Sequence, residues 1–442
     1  MMARTFRLGG VHPPEQKHLT EGKAIEILPP PKRVVIPMAQ CLGAPAAPTV
    51  KPKDAVKAGQ RIGEPQGFVS TPVHASISGV VKRVDLFPTS VGPRTLCVEI
   101  ESDGADAWVD GVDPAAEAVD FSRPEAFLPA LSDAGLVGMG GAAFPSHVKL
   151  RPPKDVTLDT LILNGAECEP YLTADHRLMI EHPREIALGL RILRAVLGVE
   201  RAFVGIEDNK PDAIARMREA LQGVDGAEVA VCRTRYPQGA EKQLLKTILD
   251  REVPPGKLPL HVGAVVHNVG TAFAAFEAVA RRKPLVERVL TVSGRAIREP
   301  KNLRVRVGTT LDVLIDRCGG VTEGLRKVIF GGPMMGKALR SLDVPVIKST
   351  SGVLFFDRSE AALVAEHPCI RCGRCLVACP QGLCPCDMGD LAENARYEGM
   401  ADALDCVECG ACQFACPGHR RLMHLIRLGK SEHRRLQQAK KA

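Results

Sequence analysis

Two cysteine runs carry the most specific chemistry in this chain. Cys369-x2-Cys372-x2-Cys375-x3-Cys379-Pro380 recurs as Cys406-x2-Cys409-x2-Cys412-x3-Cys416-Pro417. A cubane [4Fe–4S] cluster needs four thiolates around it, and a loop with two-residue gaps delivers three of them to one cluster. The fourth cysteine of each run leads into the other half and ligates the other cluster. On this reading Cys369, Cys372, Cys375 and Cys416 hold one cluster, and Cys379, Cys406, Cys409 and Cys412 hold a second. Such centres move electrons singly. A pair of zinc knuckles is the competing reading, but zinc ligands usually come as two separated pairs, which this spacing fits poorly. Cys384 and Cys386, just after the first run, read as spare thiols or as an added metal site. Cys41, Cys97, Cys232 and Cys318 are scattered singles, expected to be small buried hydrophobes.

A second feature is rich in glycine. Gly135-Leu-Val-Gly138-Met-Gly140-Gly141 places four glycines in seven positions, and Phe144, Pro145 and Lys149 follow. Glycines let the backbone approach a phosphate and turn its N–H groups toward it, and the lysine supplies a compensating charge. This is not the dinucleotide fingerprint, because no strand precedes it. A flexible turn is the plain alternative. Next comes an apolar run ending in Asn164-Gly-Ala-Glu167-Cys-Glu169-Pro170-Tyr171. Polar groups just after a buried strand sit where a parallel sheet binds ligands; the plainer reading is a helix cap and a solvated loop. Tyr236-Pro-Gln-Gly239-Ala-Glu241-Lys242 and His267-Asn268-Val-Gly270-Thr271 occupy equivalent strand-to-helix junctions, so the three point to one shared pocket.

The elements that must position these groups are legible in outline. Short β-type runs at Leu158–Leu163, Ala202–Ile206, Glu228–Cys232 and His261–Val266 alternate with helical patterns. One of these is Pro211–Leu221, with proline at the helix start and Ile214, Met217 and Leu221 at helical spacing. Such alternation implies a parallel sheet flanked by helices. Before it, residues 1–125 are rich in Pro and Gly, with short β-type runs. Val73-His-Ala-Ser-Ile-Ser-Gly-Val-Val81 resembles the turn and strand of biotinyl/lipoyl-type barrel-sandwich domains, without a lysine at the tip of the turn to carry a swinging group. The expected division is a barrel-sandwich scaffold over 1–125 and an α/β ligand domain over 126–285. A small β unit over 286–345 follows, with strands at Leu290–Gly294 and Arg304–Gly308 and a helix at Thr310–Cys318. A ferredoxin-like module over 346–442 completes the chain.

Composition limits the function classes. At 442 residues, 45% hydrophobic and 25% charged, the chain is long enough for several ordinary globular domains. Aromatics at 4% argue against stacking platforms for single-stranded nucleic acid. No run approaches the roughly 18 apolar residues of a membrane span; the most apolar window, Val262–Ala280, is broken by His267, Asn268 and Glu277. Met1–Gly10 lacks a hydrophobic signal core, so the expectation is a cytosolic chain. There the clustering of ten of the 15 cysteines between Cys369 and Cys416 reads as metal binding rather than disulfides. The net charge of +7 is localised. Arg420, Arg421, Arg427, Lys430, Arg434, Arg435, Lys440 and Lys441 face one acid, Glu432, after Pro417. That tail suggests an anionic partner such as a membrane surface or an acidic protein, against the plain reading of a solvated helix.

Together these residues resemble the RnfC family, which supplies one subunit of the Rnf complexes, ion-translocating ferredoxin:NAD oxidoreductases. The likeness runs through nearly the whole chain. Its landmarks are Gly9-Gly-Val-His12-Pro-Pro-Glu15, Gly138-x-Gly-Gly-Ala-x-Phe-Pro145, Gly165-Ala-Glu-Cys-Glu-Pro170, Gly205-Ile-Glu-Asp-Asn-Lys-Pro211, Gly331-Gly-Pro-Met-Met-Gly336 and the cysteine runs. The middle is more distantly similar to the flavin-binding NADH subunit of respiratory complex I, and Leu290 to Cys318 to a soluble-ligand-binding β-grasp (SLBB) domain.

The resemblance implies FMN over Gly138, Gly140, Gly141 and Lys149. Asn164 and the catalytic candidates Glu167 and Glu169 would lie around its ring and the nicotinamide, with Glu241, Asn268 and Thr271 in the same pocket. It implies NADH as substrate and exchange of electrons with ferredoxin through the A, B, D, E and G subunits of the complex. The chain would be a peripheral subunit on the cytoplasmic face of the bacterial inner membrane. Cys384-x-Cys386 departs from the family pattern, and the basic tail is short beside the Ala/Lys-rich extensions of many relatives. A cobalamin reductase shares the glycine loop and cysteine runs, but the front segment with His12-Pro-Pro-Glu15 favours Rnf. An electron relay with a vestigial flavin site is the non-enzyme alternative.

Overall fold

The computed structural model describes residues 3–362 and 364–440. Near the N-terminus two small antiparallel sheets face each other. One orders Arg33–Pro37, Thr95–Ser102, Gly79–Phe87 and Ala55–Val56; the other orders Ala47–Pro48, Arg61–Glu64 and Val73–His74. Val34, Ile36, Ile62, Ile77, Val98 and Ile100 are fully buried between them, as alternating inward positions require. The segment read as turn and strand, Val73–Val81, is where the chain leaves one sheet for the other. Gly79 makes that passage at φ +155°, where an added Cβ would collide with the Glu101 carbonyl.

The α/β unit holds a parallel sheet in the order Ala227–Cys232, Arg201–Glu207, Thr160–Asn164, Ala264–Asn268. Helices Pro183–Leu197 and Val269–Ala280 cover one face, contributing Leu190, Leu193, Ala272 and Phe276 to the core. Helix Glu241–Leu249 covers the other with Leu244, Leu245 and Ile248 against Ile162 and Phe203. The two helices on the first face nearly touch: a side chain at Gly189 would strike the Ala272 carbonyl. The fourth strand begins at Ala264, later than the expected His261, because Pro259–Val262 forms a 3-10 turn. Gly263 at φ +80° then turns the chain into the sheet.

A six-stranded sheet follows, ordered Ile25–Ile27, Lys301–Arg306, Glu287–Ser293, Gly352–Phe356, Lys327–Phe330, Lys337–Ala338, with helix Leu311–Arg317 packed on it through Leu311 and Leu314. Two of its strands come from outside the stretch expected to build it. Ile25–Ile27 arrives from the N-terminal region and pairs in parallel with Asn302, Leu303 and Arg304. Gly352–Phe356, beyond the expected boundary at residue 345, is an all-buried run that runs parallel to one neighbour and antiparallel to the other.

This sheet is tied to the α/β unit by buried charges. Glu277, on helix Val269–Ala280, accepts from Lys283 at 3.0 Å and Arg304 at 2.6 Å. Glu287 lies against Lys283, Arg304 and Arg306. Burial alone would raise the Glu287 carboxyl, but Arg304, Lys283 and Arg306 outweigh it and hold it at about 2.

The C-terminal module packs helices Arg374–Ala378, Pro385–Glu393 and Ala411–Phe414 against Leu422–Ala439 around Met388, Met400, Leu422 and Ile426. Here part of the basic tail, read as either an anionic-partner surface or a solvated helix, is paired within the fold. Arg420 is buried and bonds Asp390 and Glu393; Lys430 is buried and bonds Glu408 and the Cys406 carbonyl. Arg421, Arg427 and Arg435 pair with Glu366, Glu408 and Glu432. Charge counting along the tail saw Glu432 but not Glu366, Asp390, Glu393 and Glu408, which the rest of the module supplies. Lys441 lies outside the described residues. Among the described residues no helix is long and apolar enough to cross a membrane.

Candidate functional site

The C-terminal ends of the parallel strands carry the polar junctions, and the glycine loop lies against them. The loop follows helix Phe127–Asp133 rather than a strand. It is closed on itself by Gly138 N donating to the Phe144 carbonyl at 2.9 Å. Thr271 Oγ1 accepts from Met139 N at 3.0 Å, and buried Arg288 donates to the Met139 carbonyl at 3.1 Å. Asn268 caps helix Val269–Ala280 by accepting from Gly270 N, while its amide donates to Asp175 at 2.6 Å. An added Cβ on Gly140 would sit 3.0 Å from the Asn268 side chain. Asn164 bridges two junctions, donating to the Gly239 carbonyl at 2.7 Å and accepting from Ala166 N at 3.1 Å. Lys149 and Glu241 form an ion pair at 2.5 Å. Gly138, Gly140, Lys149, Asn164, Glu241, Asn268 and Thr271 thus form one connected neighbourhood, with Gly141 at its open, exposed edge.

Glu167 and Glu169 are placed differently from free groups in a pocket. The Glu167 carboxylate accepts from Asp175 N at 2.8 Å and His176 N at 3.0 Å, in the first turn of helix Ala174–Glu181. The Glu169 carboxylate accepts from Met334 N at 2.9 Å and Met335 N at 2.8 Å, fixing the Gly331–Gly336 loop. Burial, then neighbouring Asp175, raises Glu167 to about 7. Burial raises Glu169 to about 7 against the pull of its two N–H donors.

Two buried lysines that sequence reasoning missed hold this acidic loop. Lys17, from the N-terminal segment, donates to the carbonyls of Glu167 at 2.9 Å, Glu169 at 3.0 Å and Leu172 at 2.6 Å. Lys210 donates to the Ala166 carbonyl and to Glu207, both at 2.9 Å. Lys210 lies inside the landmark Gly205–Pro211 and Lys17 just past Gly9–Glu15, but spacing says nothing of what an isolated lysine contacts.

The cysteines of the two runs line two separate cavities. One is bordered by Cys379, Cys406, Cys409 and Cys412; the other by Cys369, Cys372, Cys375 and Cys416, with Cys386 beside them. The last cysteine of each run therefore faces the other run's cavity, and each cavity presents the four thiols that a cubane cluster takes, the second with Cys386 as a fifth. The first cavity is packed onto the α/β unit. Tyr236 Oη donates to the Cys409 carbonyl at 2.6 Å, Gln243 donates to the Pro380 carbonyl at 3.2 Å, and Gly10 N donates to the Ala378 carbonyl at 2.9 Å. Gly9, at φ +68°, passes so close to Cys379 that an added Cβ would strike its carbonyl. The residues around the glycine loop likewise fit a polar, phosphate-bearing ligand. Ser146 Oγ, just past the loop, and His267 Nε2, on the adjoining strand end, are buried with no hydrogen-bond partner. Burial and then Lys149 keep His267 neutral. Of the single cysteines, Cys97, Cys232 and Cys318 are fully buried and Cys41 is partly exposed.

Comparison with known proteins agrees with this architecture. Residues 5–105 match the RnfC barrel sandwich hybrid domain, residues 131–277 the Nuo51 FMN-binding domain and residues 289–338 the SLBB domain. The C subunit of the proton-translocating ferredoxin:NAD(+) oxidoreductase complex of Clostridium ljungdahlii is 48% identical over 444 residues, covering 100% of this chain and 96% of that one. Its counterpart in the Na(+)-translocating complex of Acetobacterium woodii is 45% identical, covering 97% of each. The corresponding subunit of the ion-translocating oxidoreductase complex of Rhodobacter capsulatus is 43% identical, covering 89% of this chain and 76% of that one. With relatives this similar along its whole length, the chain belongs to the RnfC family.

Proposed function

We propose that this chain is the NAD(H)-handling, electron-transferring subunit of an ion-translocating ferredoxin:NAD oxidoreductase. It would work as a peripheral subunit on the cytoplasmic face of the membrane, beside the A, B, D, E and G subunits. Bound FMN would exchange a hydride with NAD(H) and single electrons with two bound [4Fe–4S] clusters, which is the two-to-one conversion such a complex needs. The observation that carries the reading is the direct packing of one cysteine-lined cavity on the α/β unit whose strand ends meet the glycine loop, through Tyr236 and Gln243, with Gly9 of the N-terminal segment pressed between them.

The chain's own residues have defined tasks on this reading. Gly138, Gly140, Gly141 and Lys149 would hold the flavin phosphate, and Ser146 and His267 offer unpaired polar atoms beside it. Asn164, Glu241, Asn268 and Thr271 set the wall of the pocket. Glu167 and Glu169 shape the nicotinamide side chiefly by fixing backbone, since their carboxylates are engaged by N–H groups. Cys369, Cys372, Cys375 and Cys416 would ligate one cluster, and Cys379, Cys406, Cys409 and Cys412 the other.

The test is anaerobic purification with iron and flavin counts, then NADH titration followed by absorbance and electron paramagnetic resonance. The expected result is about eight irons and one FMN per chain, with NADH reducing the flavin and at least one cluster. Full iron without flavin, and no response to NADH after FMN is supplied, would leave an electron relay in its place.

A further inference from the structure

Outside the two cysteine runs, one more group of metal-ligating side chains, two thiols and a carboxylate, converges among the described residues. Cys384 is the residue before helix Pro385–Glu393, and Cys386 and Asp387 lie in its first turn. Cys384 Sγ is 3.5 Å from Cys386 Sγ and 3.0 Å from Asp387 Oδ2, and Cys386 Sγ is 3.8 Å from Asp387 Oδ1. All three ligand atoms fall within 4.8 Å of one another. A tetrahedral zinc ion, with bonds of about 2.3 Å to sulfur and about 2.0 Å to carboxylate oxygen, separates its ligand atoms by roughly 3.5 to 3.8 Å. The two sulfurs already stand close to that separation, and the Asp387 carboxylate turns one oxygen to each of them, Oδ2 to Cys384 and Oδ1 to Cys386, so a small rotation of the carboxylate would complete one face of such a tetrahedron. Both thiols are half-buried and Asp387 is exposed, which leaves the fourth corner open to water.

We propose that Cys384, Cys386 and Asp387 form a third metal site, adjoining one of the two cysteine-lined cavities, that binds one divalent cation of the Zn2+ type. Pro385 and the helix start make the site compact. Proline at the first helical position fixes the backbone between the two thiols, and the helix N-terminus favours the negative charge that both thiols acquire on metallation. Cys384 does not border either cluster cavity. Cys386 borders the one lined by Cys369, Cys372, Cys375 and Cys416 and hydrogen-bonds Cys375 there, so the cation would sit beside that cavity, and the iron count is what tells the two sites apart. The site rests on this geometry alone and stands or falls independently of the NAD(H) reading.

The experiment uses full-length protein purified anaerobically with its iron intact, cleared of loose metal on a chelating resin and titrated with Zn2+. Zinc and iron are counted together, and X-ray absorption at the zinc edge reports the ligands. The expected outcome is about one zinc per chain with unchanged iron, and two sulfurs at about 2.3 Å with lighter ligands completing the shell. Cys384→Ser and Asp387→Asn should keep their iron and bind zinc at least tenfold more weakly. The proposal is overturned by full iron with no zinc bound, by zinc gained only as iron is lost, or by unaltered zinc affinity in both variants. Should either variant lose iron, the wild-type zinc-edge spectrum decides: two sulfurs uphold the site, and four or none refute it.

Discussion

At the scale of single residues, the cysteines show how much a spacing can carry. Two copies of one run with trailing prolines are enough to read which thiols gather and that the last of each run crosses to the other, because the gaps are local rather than set by distant packing. The structure puts Cys379 with Cys406, Cys409 and Cys412, across 27 residues of chain from the first of them. Cys379→Ser should therefore deplete the same resonance signal as Cys406→Ser and leave that of the Cys369 group intact, whereas Cys416→Ser should match Cys372→Ser. Each variant should lose about half the iron. If Cys379→Ser instead paired spectroscopically with Cys372→Ser, the crossing would be refuted. The two glutamates teach the opposite lesson. Their position after a buried strand is legible, but which backbone N–H groups their oxygens meet depends on Met334 and Met335, well over a hundred residues away.

Among elements, what can be read is whatever repeats locally: the strand and helix alternation from Thr160 to Ala280, with proline at helix starts. What cannot be read are the pieces that cross between units. Ile25–Ile27 is three residues long and carries no pattern of its own, so its place beside Lys301–Arg306 is set by the partner strand. The segment before it is more consequential. It passes between the α/β unit and the cysteine module at Gly9 and Gly10, then delivers Lys17 to three carbonyls of the acidic loop. Lys17→Met would keep the length and remove the donor, leaving buried carbonyls without their partner. Each such loss costs about 1–3 kcal/mol, so a total destabilisation of about 3 kcal/mol or more is expected. Because the loop held by Lys17 also positions helix Ala174–Glu181, the variant should retain iron but lose FMN on gel filtration, with a lowered melting temperature. Flavin retained at the wild-type level would show that the strap is not needed to shape the pocket.

For the molecule as a whole, the same buried charges that join its units make its stability depend on pH, with opposite signs in two places. Glu167 and Glu169 titrate near 7, above the ordinary carboxyl value of 4.5. Their contribution to stability is therefore complete below about 4.5 and falls away as pH rises through 7. Glu287 is displaced the other way, to about 2, by Arg304, Lys283 and Arg306 against the effect of burial. Its contribution is present above about 4.5 and is lost as pH falls toward 2, on the order of 3 kcal/mol in total. The two groups also sit at different joints, Glu287 where the six-stranded sheet meets helix Val269–Ala280 and Glu169 where it meets the acidic loop. Acid should therefore loosen the first joint selectively. Hydrogen exchange, corrected for intrinsic rate, should show protection of Glu287–Ser293 and Lys301–Arg306 falling between pH 4.5 and 2. In Glu287→Gln the neutral-pH protection should already be lower, by about 3–5 kcal/mol for a broken buried pair, with little further dependence on acid. Protection in the wild type that stayed flat over that range would mean that Glu287 remains charged or that its partners relax toward solvent. The joint would then be held by the apolar packing of Phe273, Phe276 and Leu285 rather than by its ions.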